Sequence, residues 1–556
     1  LAIGRTVLVC LACALVIFGC RAREAATPPD SSAADAAALD KLLKGPAPAF
    51  VDEGDEGGHL WQAVRRFYKR RGGRPAWFRD REPRDEVEEL RAAVAKASLE
   101  GLDAADYEPG DSRAGSGPDT TALAELRLTY VFIKYASHLL TGRVDPRELD
   151  ANWVGQPRRR ETPDVLDAAL SGEGIAKALE RLAPRHPQYA ALKRGLQGHR
   201  ERAEKGGWPT DLPKDLRLKE GDRAPGVKHL RARLKASGDL DAKTPLGLLA
   251  TLDPDSEHFN DGLVEALTNF QTRHGLEPTG ILDAKTVAAL NVTLDDRICQ
   301  IELNLERWRW LPEELGNRYV MVNIPAFRLE ALENDGLALE MRVAVGKKDH
   351  PTPIFSEPMT EVVFSPYWNI PAQIAREEWI PEVVRDPDYL RDNGLEIIKG
   401  DRVVSSSEVD WSDSDLRLRQ RPGAANVLGL VKFAFPNRFN VYLHDTPEDA
   451  MFHRASRDLS HGCVRVEKPE ELAAWVLRGR REWTRAHIEK AMHAGVEQRV
   501  GVEPPIPVYL VYQTAWAQAD GTVSFSEDIY GHDAAQVGLL EDRPDRRRRT
   551  GGSGGR

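Results

Sequence analysis

Between Asn440 and Val466 the chain reads NVYLHDTPEDAMFHRASRDLSHGCVRV, which gathers three of the fourteen histidines and one of the five cysteines. The residue types that could do chemistry here are Cys463, with Ser460, His461 and Gly462 before it, and His444 upstream. A free thiol has a pKa of about 8.5, so only a few per cent is thiolate at neutral pH. An imidazolium beside it would stabilise the thiolate, and the same ring could return a proton to a leaving amine. Gly462 permits a tight backbone, so main-chain N–H groups could aim at a developing oxyanion. Together these features describe acyl transfer through a thioester. Metal binding is the rival reading. His444, His453, His461 and Cys463 fall as H-x8-H-x7-H-x-C, whereas zinc sites favour gaps of about two to four residues within ligand pairs. A buried structural Cys and a satisfied His would suit either residue alone, but a polar, Gly-containing block suits a core strand poorly.

These side chains need strands to position them. In NVYLH a period of two sends Val441 and Leu443 to one face and Tyr442 and His444 to the other. In CVRV it sends Val464 and Val466 inward and leaves Cys463 and Arg465 on the opposite face. If the two strands are neighbours, Cys463, His444, Tyr442 and Arg465 converge. The same period runs through the C-terminal part from Arg318. EMRVAVG alternates Met341, Val343 and Val345 with Glu340, Arg342 and Ala344, and YVMVNIPAFRLEAL, EVVFSPYW, LVKFAF and PVYLVYQTAW are further strands bounded by Gly, Pro and Asn. Many short strands with such turns predict a mainly-β, sandwich-like domain over 318–530. Between 371 and 425 the strand signal yields to AREEWIPEVVRDPDYLRDNGLEII and a Ser/Asp-rich loop, read as a lid insertion. Its acidic residues could guide a cationic substrate, or could be an ordinary solvated loop.

Upstream the period is helical. LAELRLTYVFIKYASHLL puts Leu126, Tyr130, Ile133, Ser137 and Leu140 on one face, and Thr141-Gly142 ends that helix. With no catalytic constellation, 46–205 reads as a helical scaffold. Residues 215–295 carry two related helical stripes, Val227/Leu230/Leu234 and Val264/Leu267/Phe270, then a Gly-Leu-x-Pro-Thr-Gly turn and a short helix with Val287 and Leu290. A further stripe, Ile301/Leu305/Trp308, predicts a helix docking this module onto the next domain, with Cys299 a buried small hydrophobe.

The whole is a multidomain α+β protein. Its 556 residues exceed one core, and 41% hydrophobic with 29% charged residues is the composition of a soluble globular chain. A net charge of −10 argues against nucleic acid as the main partner. The first nineteen residues, with Arg5 and an apolar run to Phe18, read as a secretory signal. Gly19-Cys20 resembles a lipobox, although Phe18 is bulkier than that motif usually carries, so lipidation at Cys20 and ordinary cleavage both stay open. Residues 20–45 read as a flexible linker and 531–556 as a disordered tail. Cys299 and Cys463 then remain, too few for a disulfide framework.

LVEALTNFQTRHGLEPTGILDAKTVAALN resembles the peptidoglycan-binding repeat, a three-helix module, although a ligand-free spacer of that shape stays open. His444 with Ser460-His461-Gly462-Cys463-Val464-Arg465 resembles the L,D-transpeptidase catalytic signature. NLERWRWLP, VAVGKKDHPTPIFS, VVFSPYWNIP and LHDTP resemble its large periplasmic branch, over roughly 46–530. The resemblance implies that Cys463 is the nucleophile and His444 its base, which also protonates the departing D-alanine. It implies that the Gly462 and Cys463 amides contribute to the oxyanion hole. Ser460 and His461 would shape the loop, with His461 a further hydrogen-bonding group. Tyr442 and Arg465 would contact the donor stem peptide, and His453 would be structural. The implied reaction takes D-Ala from a tetrapeptide stem and makes 3→3 cross-links between meso-diaminopimelate residues, without metal or organic cofactor. Implied partners are peptidoglycan stem peptides, glycan strands through the binding module, and a membrane through lipidated Cys20, in the periplasm or cell envelope. A same-fold carboxypeptidase or hydrolase, an enzyme coupling a lipoprotein to the wall, and a catalytically degenerate wall-binding protein remain alternatives.

Overall fold

The helix Pro118–Thr141 carries apolar side chains on nearly every face. Leu126, Tyr130, Ile133 and Leu140 are buried as the stripe predicts, but so are Leu128, Val131, Phe132 and Tyr135 behind it. A helix apolar all round must be wrapped by others. In this computed structural model, which describes residues 31–110, 117–153, 158–240, 253, 255–334, 336–386, 388–411, 413 and 415–542, it is the axis of the N-terminal domain. Helices Gly54–Arg70, Thr162–Ala168 and Ser31–Lys44 pack on it, with a two-strand turn of β1 (Phe78–Arg79) and β2 (Glu82–Pro83) beside them. Ser31–Lys44 corrects the expected linker over 20–45. Its alanines favour helix, and Ala38 and Leu39 are buried in the domain core. The signal and the Cys20 site lie outside the described residues.

The next module holds helices Gly226–Ser237, Asp261–Arg273 and Ala284–Leu290 around Val227, Leu230, Leu234, Leu267, Phe270 and Leu290. Leu263 takes the fully buried place expected of Val264, which sits at the edge.

Helix Leu294–Arg309 opens on a capping box in which Thr293 and Asp296 exchange backbone and side-chain bonds. Ile301, Leu305 and Trp308 are buried with Tyr189 and Leu196 from the scaffold side and Tyr319 and Tyr509 from the sheet side. Cys299 packs, partly buried, against the core of the β-rich domain. Glu306 and Arg309, both fully buried, pair at 2.8 Å, and Glu306 also accepts from the Val144 N–H at 3.2 Å and faces the Arg143 guanidinium at 3.5 Å. One helix is thereby shared by two domains.

The strands that follow are β3 (Arg318–Asn323), β4 (Arg328–Glu333), β5 (Gly336–Gly346) and β6 (Ser356–Phe364). The insertion contributes β7 (Trp368–Asn369), β8 (Leu395–Lys399), β9 (Arg402–Val404) and β10 (Leu416–Gln420). Then come β11 (Val431–Ala434), β12 (Leu443–His444), β13 (Asp458–Ser460), β14 (Val464–Val466) and β15 (Gln498–Val511), and finally β16 (Ala515–Ala517) and β17 (Val523–Phe525). The β-rich domain is as the period-two pattern predicts. Its layers are continuous: pairing runs β5-β14-β12-β11-β6-β15-β3-β4 and returns from β4 to β5, so the sheet closes on itself, while β13 extends β5. Met341, Val343 and Val345 lie in its core, and Ala344 is buried on the other face beneath Met451 and Phe452.

The lid differs from the loop expected there. It is a subdomain with a four-stranded sheet, order β7-β10-β8-β9, and its own core of Trp368, Val383, Leu395, Ile397 and Leu418. The tail expected from 531 is also corrected. His532–Glu541 is a helix whose first N–H groups are held by Asp528, and whose buried Gln536 accepts from Arg307 Nε at 2.9 Å. Residues 543–556 lie outside the described residues. No helix among the described residues is long and apolar enough to cross a membrane.

Candidate active site

β12 lies between β11 and β14. Lys432 pairs with His444 on one side, and Leu443 pairs with Val464 and His444 with Arg465 in parallel register on the other. Val431, Phe433, Leu443, Val464 and Val466 are fully buried in the core. The opposite face therefore presents Tyr442, His444, Cys463 and Arg465 together, as the alternation predicts, with Lys432 beside them. The Val464 N–H donates to the Tyr442 carbonyl at 3.1 Å, which sets Cys463 beside Tyr442. The Tyr442 and His444 ring centres are 5.7 Å apart.

The thiol and the ring are each held neutral. Burial pushes the Cys463 thiol up, against the Tyr442 backbone N–H, the Lys432 charge, the Tyr442 hydroxyl and Arg465. Its Sγ lies 3.8 Å from the carbonyl oxygen of Asn440, whose left-handed φ of 55° turns that oxygen toward it. His444 is 3% exposed. Burial first, then Arg465 and Lys432, push it down to about 3, against a hydrogen bond to Asp445. That bond runs from Nδ1 to the Asp445 carbonyl at 2.5 Å, so Nδ1 carries the proton and Nε2 is left as an acceptor. The imidazolium expected beside a thiolate is thus corrected. Burial outweighs the charges around each group and favours a neutral thiol and a neutral ring, and the thiol's own hydrogen bond runs to Asn440 and not to the ring.

The Ser460–Cys463 loop is wound around one hydroxyl. Ser460 Oγ donates to the Cys463 carbonyl at 2.5 Å and accepts from the Gly462 N–H at 3.1 Å. The Gly462 amide, expected in an oxyanion hole, is committed to that serine. Gly462 has φ 108°, a region L side chains rarely adopt, and its carbonyl accepts from Thr352 Oγ1 at 2.8 Å. His461 turns to the lid, with Nε2 2.9 Å from Glu378 Oε1 and its ring 5.0 Å from that of His350. Burial lowers the His461 pKa and Glu378 opposes it. Arg465 leans toward the Asp449–His453 turn, 3.8 Å from Met451 Sδ and 3.9 Å from Glu448. His453 is exposed at the end of that turn. Among the described residues no group of three His, Cys, Asp or Glu side chains could hold a metal.

Three contributors were not singled out from sequence. Asp445 accepts from the Leu430 and Thr446 N–H groups, both at 2.7 Å, and so fixes the backbone that holds His444. Thr352 fixes the Gly462 carbonyl. Lys432 places Nζ 3.8 Å from the Tyr442 ring centre. Its signal was its place in LVKFAF, the polar position between core-facing Val431 and Phe433. Tyr442 also packs against the lid core, so the lid and the site share a side chain.

Residues 62–196 match the model of a scaffold domain, 223–290 that of a "Putative peptidoglycan binding domain", and 317–488 that of an L,D-transpeptidase catalytic domain. A curated relative from Haemophilus influenzae, named "Putative L,D-transpeptidase", is 34% identical over 247 residues, which is 44% of this chain and 49% of that protein. The chain thus spans about half the length of that relative. Among solved structures, an L,D-transpeptidase from Mycobacterium smegmatis aligns at 14% identity and a TM-score of 0.18, over 35% of this chain and 58% of that one. One from Xylanimonas cellulosilytica aligns at 14% identity and a TM-score of 0.16, over 54% of this chain and 99% of that one.

Proposed function

We propose that this chain is an L,D-transpeptidase and that it forms 3→3 cross-links in peptidoglycan through a Cys463 thioester. The observation that carries this reading is the register of β12 and β14, which sets Cys463 and His444 on one face of the sheet. Cys463 Sγ attacks the carbonyl between the L-centre of meso-diaminopimelate and the terminal D-Ala of a tetrapeptide stem. Its proton passes to His444 Nε2 as the S–C bond forms, because neither group carries charge beforehand. The Cys463 N–H faces the oxyanion. His444 then returns the proton to the amine of D-Ala as the C–N bond breaks. The side-chain amine of a second diaminopimelate, deprotonated by the same ring, attacks the thioester and releases the thiol.

Tyr442, shared with the lid core, lines the donor side of the cleft. Arg465 shares the face with the pair and adds its charge to the burial that keeps His444 neutral, and His461 ties the loop to the lid. The peptidoglycan-binding module at 223–290 holds glycan strands near the site, and the setting is the cell envelope or periplasm, with Cys20 as a lipid-anchor site. Purified protein incubated with tetrapeptide muropeptides, with products weighed by mass spectrometry, tests the reading. Dimers lighter by D-Ala are expected, and none with Cys463→Ala. Tripeptide alone, with no dimer at any substrate concentration, would replace the transpeptidase by a carboxypeptidase.

A further inference from the structure

Lys432 is a cation in an unusual setting. It sits mid-strand in β11, between Val363 of β6 and His444 of β12. It has no carboxylate within ion-pair range among the described residues, and its ammonium rests on the Tyr442 ring at 3.8 Å from the centroid. The acids that face it at longer range are Glu361 and Glu497, and both are engaged by Arg499, at 3.3 and 3.0 Å. A half-buried ammonium whose nearby acids are taken is expensive unless another negative charge forms beside it. One group in reach can supply that charge. Tyr442 lies directly across from Cys463, so an ammonium on the Tyr442 ring borders the thiol.

The groups facing that thiol are Lys432 from β11, Tyr442 and the Asn440 carbonyl from the segment leading into β12, and Arg465 from its own strand. Lys432 is the foremost charge favouring the ionised sulfur, ahead of Arg465, and Cys463 in turn draws the lysine's pKa up against the burial that lowers it. The neutral His444 ring supplies no positive charge.

We infer that Lys432 is a positioning residue for Cys463, the fixed cation against which the thiolate forms, while His444 only carries the proton away. The Tyr442 ring holds the ammonium in place through its face. This assignment rests on Cys463 being the nucleophile, yet its test does not require transpeptidation.

Iodoacetamide reports the thiolate directly: Sγ displaces iodide, the S–C bond forms as the C–I bond breaks, and the thiol proton goes to the buffer. Alkylation of Cys463, followed by peptide mass so that Cys299 is counted separately, is measured against pH for the intact protein, K432M, K432Q and K432R. With the cation removed, the midpoint of the rate profile should move up by about one pH unit, a tenfold loss of rate at neutral pH, with the high-pH limit unchanged. K432R should restore the midpoint. K432Q is read the same way should K432M melt early. A neutral variant that keeps both its melting temperature and the original midpoint overturns the inference, as does a folded K432R that behaves like K432M. If dimers fail to form from muropeptides but the midpoint still moves, the transpeptidase reading falls and this one stands.

Discussion

His444 offers the sharpest test, because its burial converts into a pH-dependent stability whose size follows from simple linkage. In the folded protein the ring stays neutral down to about pH 3. In the unfolded chain it titrates near its ordinary value of about 6.5. As pH falls through 6.5 the unfolded state binds a proton that the folded state refuses, so stability is lost on acidification until the folded ring also titrates near 3. At pH 5.5 the loss from this one group is about 1.4 kcal/mol, and at pH 7.5 under about 0.1 kcal/mol. The first figure does not depend on the depth of the folded value, provided it lies well below 5.5.

The perturbation is His444→Gln, which keeps a polar side chain but cannot titrate. Urea unfolding is measured at pH 7.5 and 5.5 for both proteins, following the transition of the catalytic domain. The wild type should lose about 1.3 kcal/mol more than the variant between the two conditions. Constant effects of the substitution cancel in this double difference, as do His199 and His274, which burial also depresses but which both proteins share. Equal losses in the two proteins would mean that the ring is already hydrated or charged when folded, and the account of a neutral base accepting the thiol proton would fail.

Glu378→Gln weakens the contact that ties the lid to His461. The pair is 48% and 31% exposed, so it contributes about 0.2–1 kcal/mol, and KM for the tetrapeptide donor should rise by no more than about fivefold with kcat unchanged. Gly462→Ala puts a side chain at φ 108° with nothing closer than 3.6 Å, so the cost is strain and not collision. A loss of about 1–3 kcal/mol in the melt and a larger drop in Cys463 acylation rate are expected. Glu306→Gln leaves Arg309 and Arg143 without their buried partner and should destabilise by about 3–5 kcal/mol in urea.

The face on which the reactive side chains sit was legible from NVYLH and CVRV, since a period of two leaves no freedom once one face is apolar. That β12 and β14 adjoin was not, because pairing is a matter of topology. Lys432 went unnoticed because a lysine on the polar side of a strand is ordinary until its neighbours are known. The neutrality of His444 is a property of burial, which spacing does not carry. LEIIK, RVV and LRLRQ in the lid are only five, three and five residues long, too short to establish a period of two among their turns, so three strands read as loop. Ser31–Lys44 and His532–Glu541 were masked by composition. The first lies in an Ala/Pro/Ser-rich stretch, and the second precedes a run of arginines.

The ion cluster at Glu306 bears on how such chains can be recombined. Two of its charges ride on the helix Leu294–Arg309, while Arg143 and the Val144 amide come from the other side of the junction. A scaffold grafted from a relative would have to bring a matching guanidinium and the same turn after Gly142, or strand a carboxylate in the dark. The first domain and the catalytic sheet are therefore inherited as one part, and divergence on either side of the seam is expected to proceed by paired substitutions.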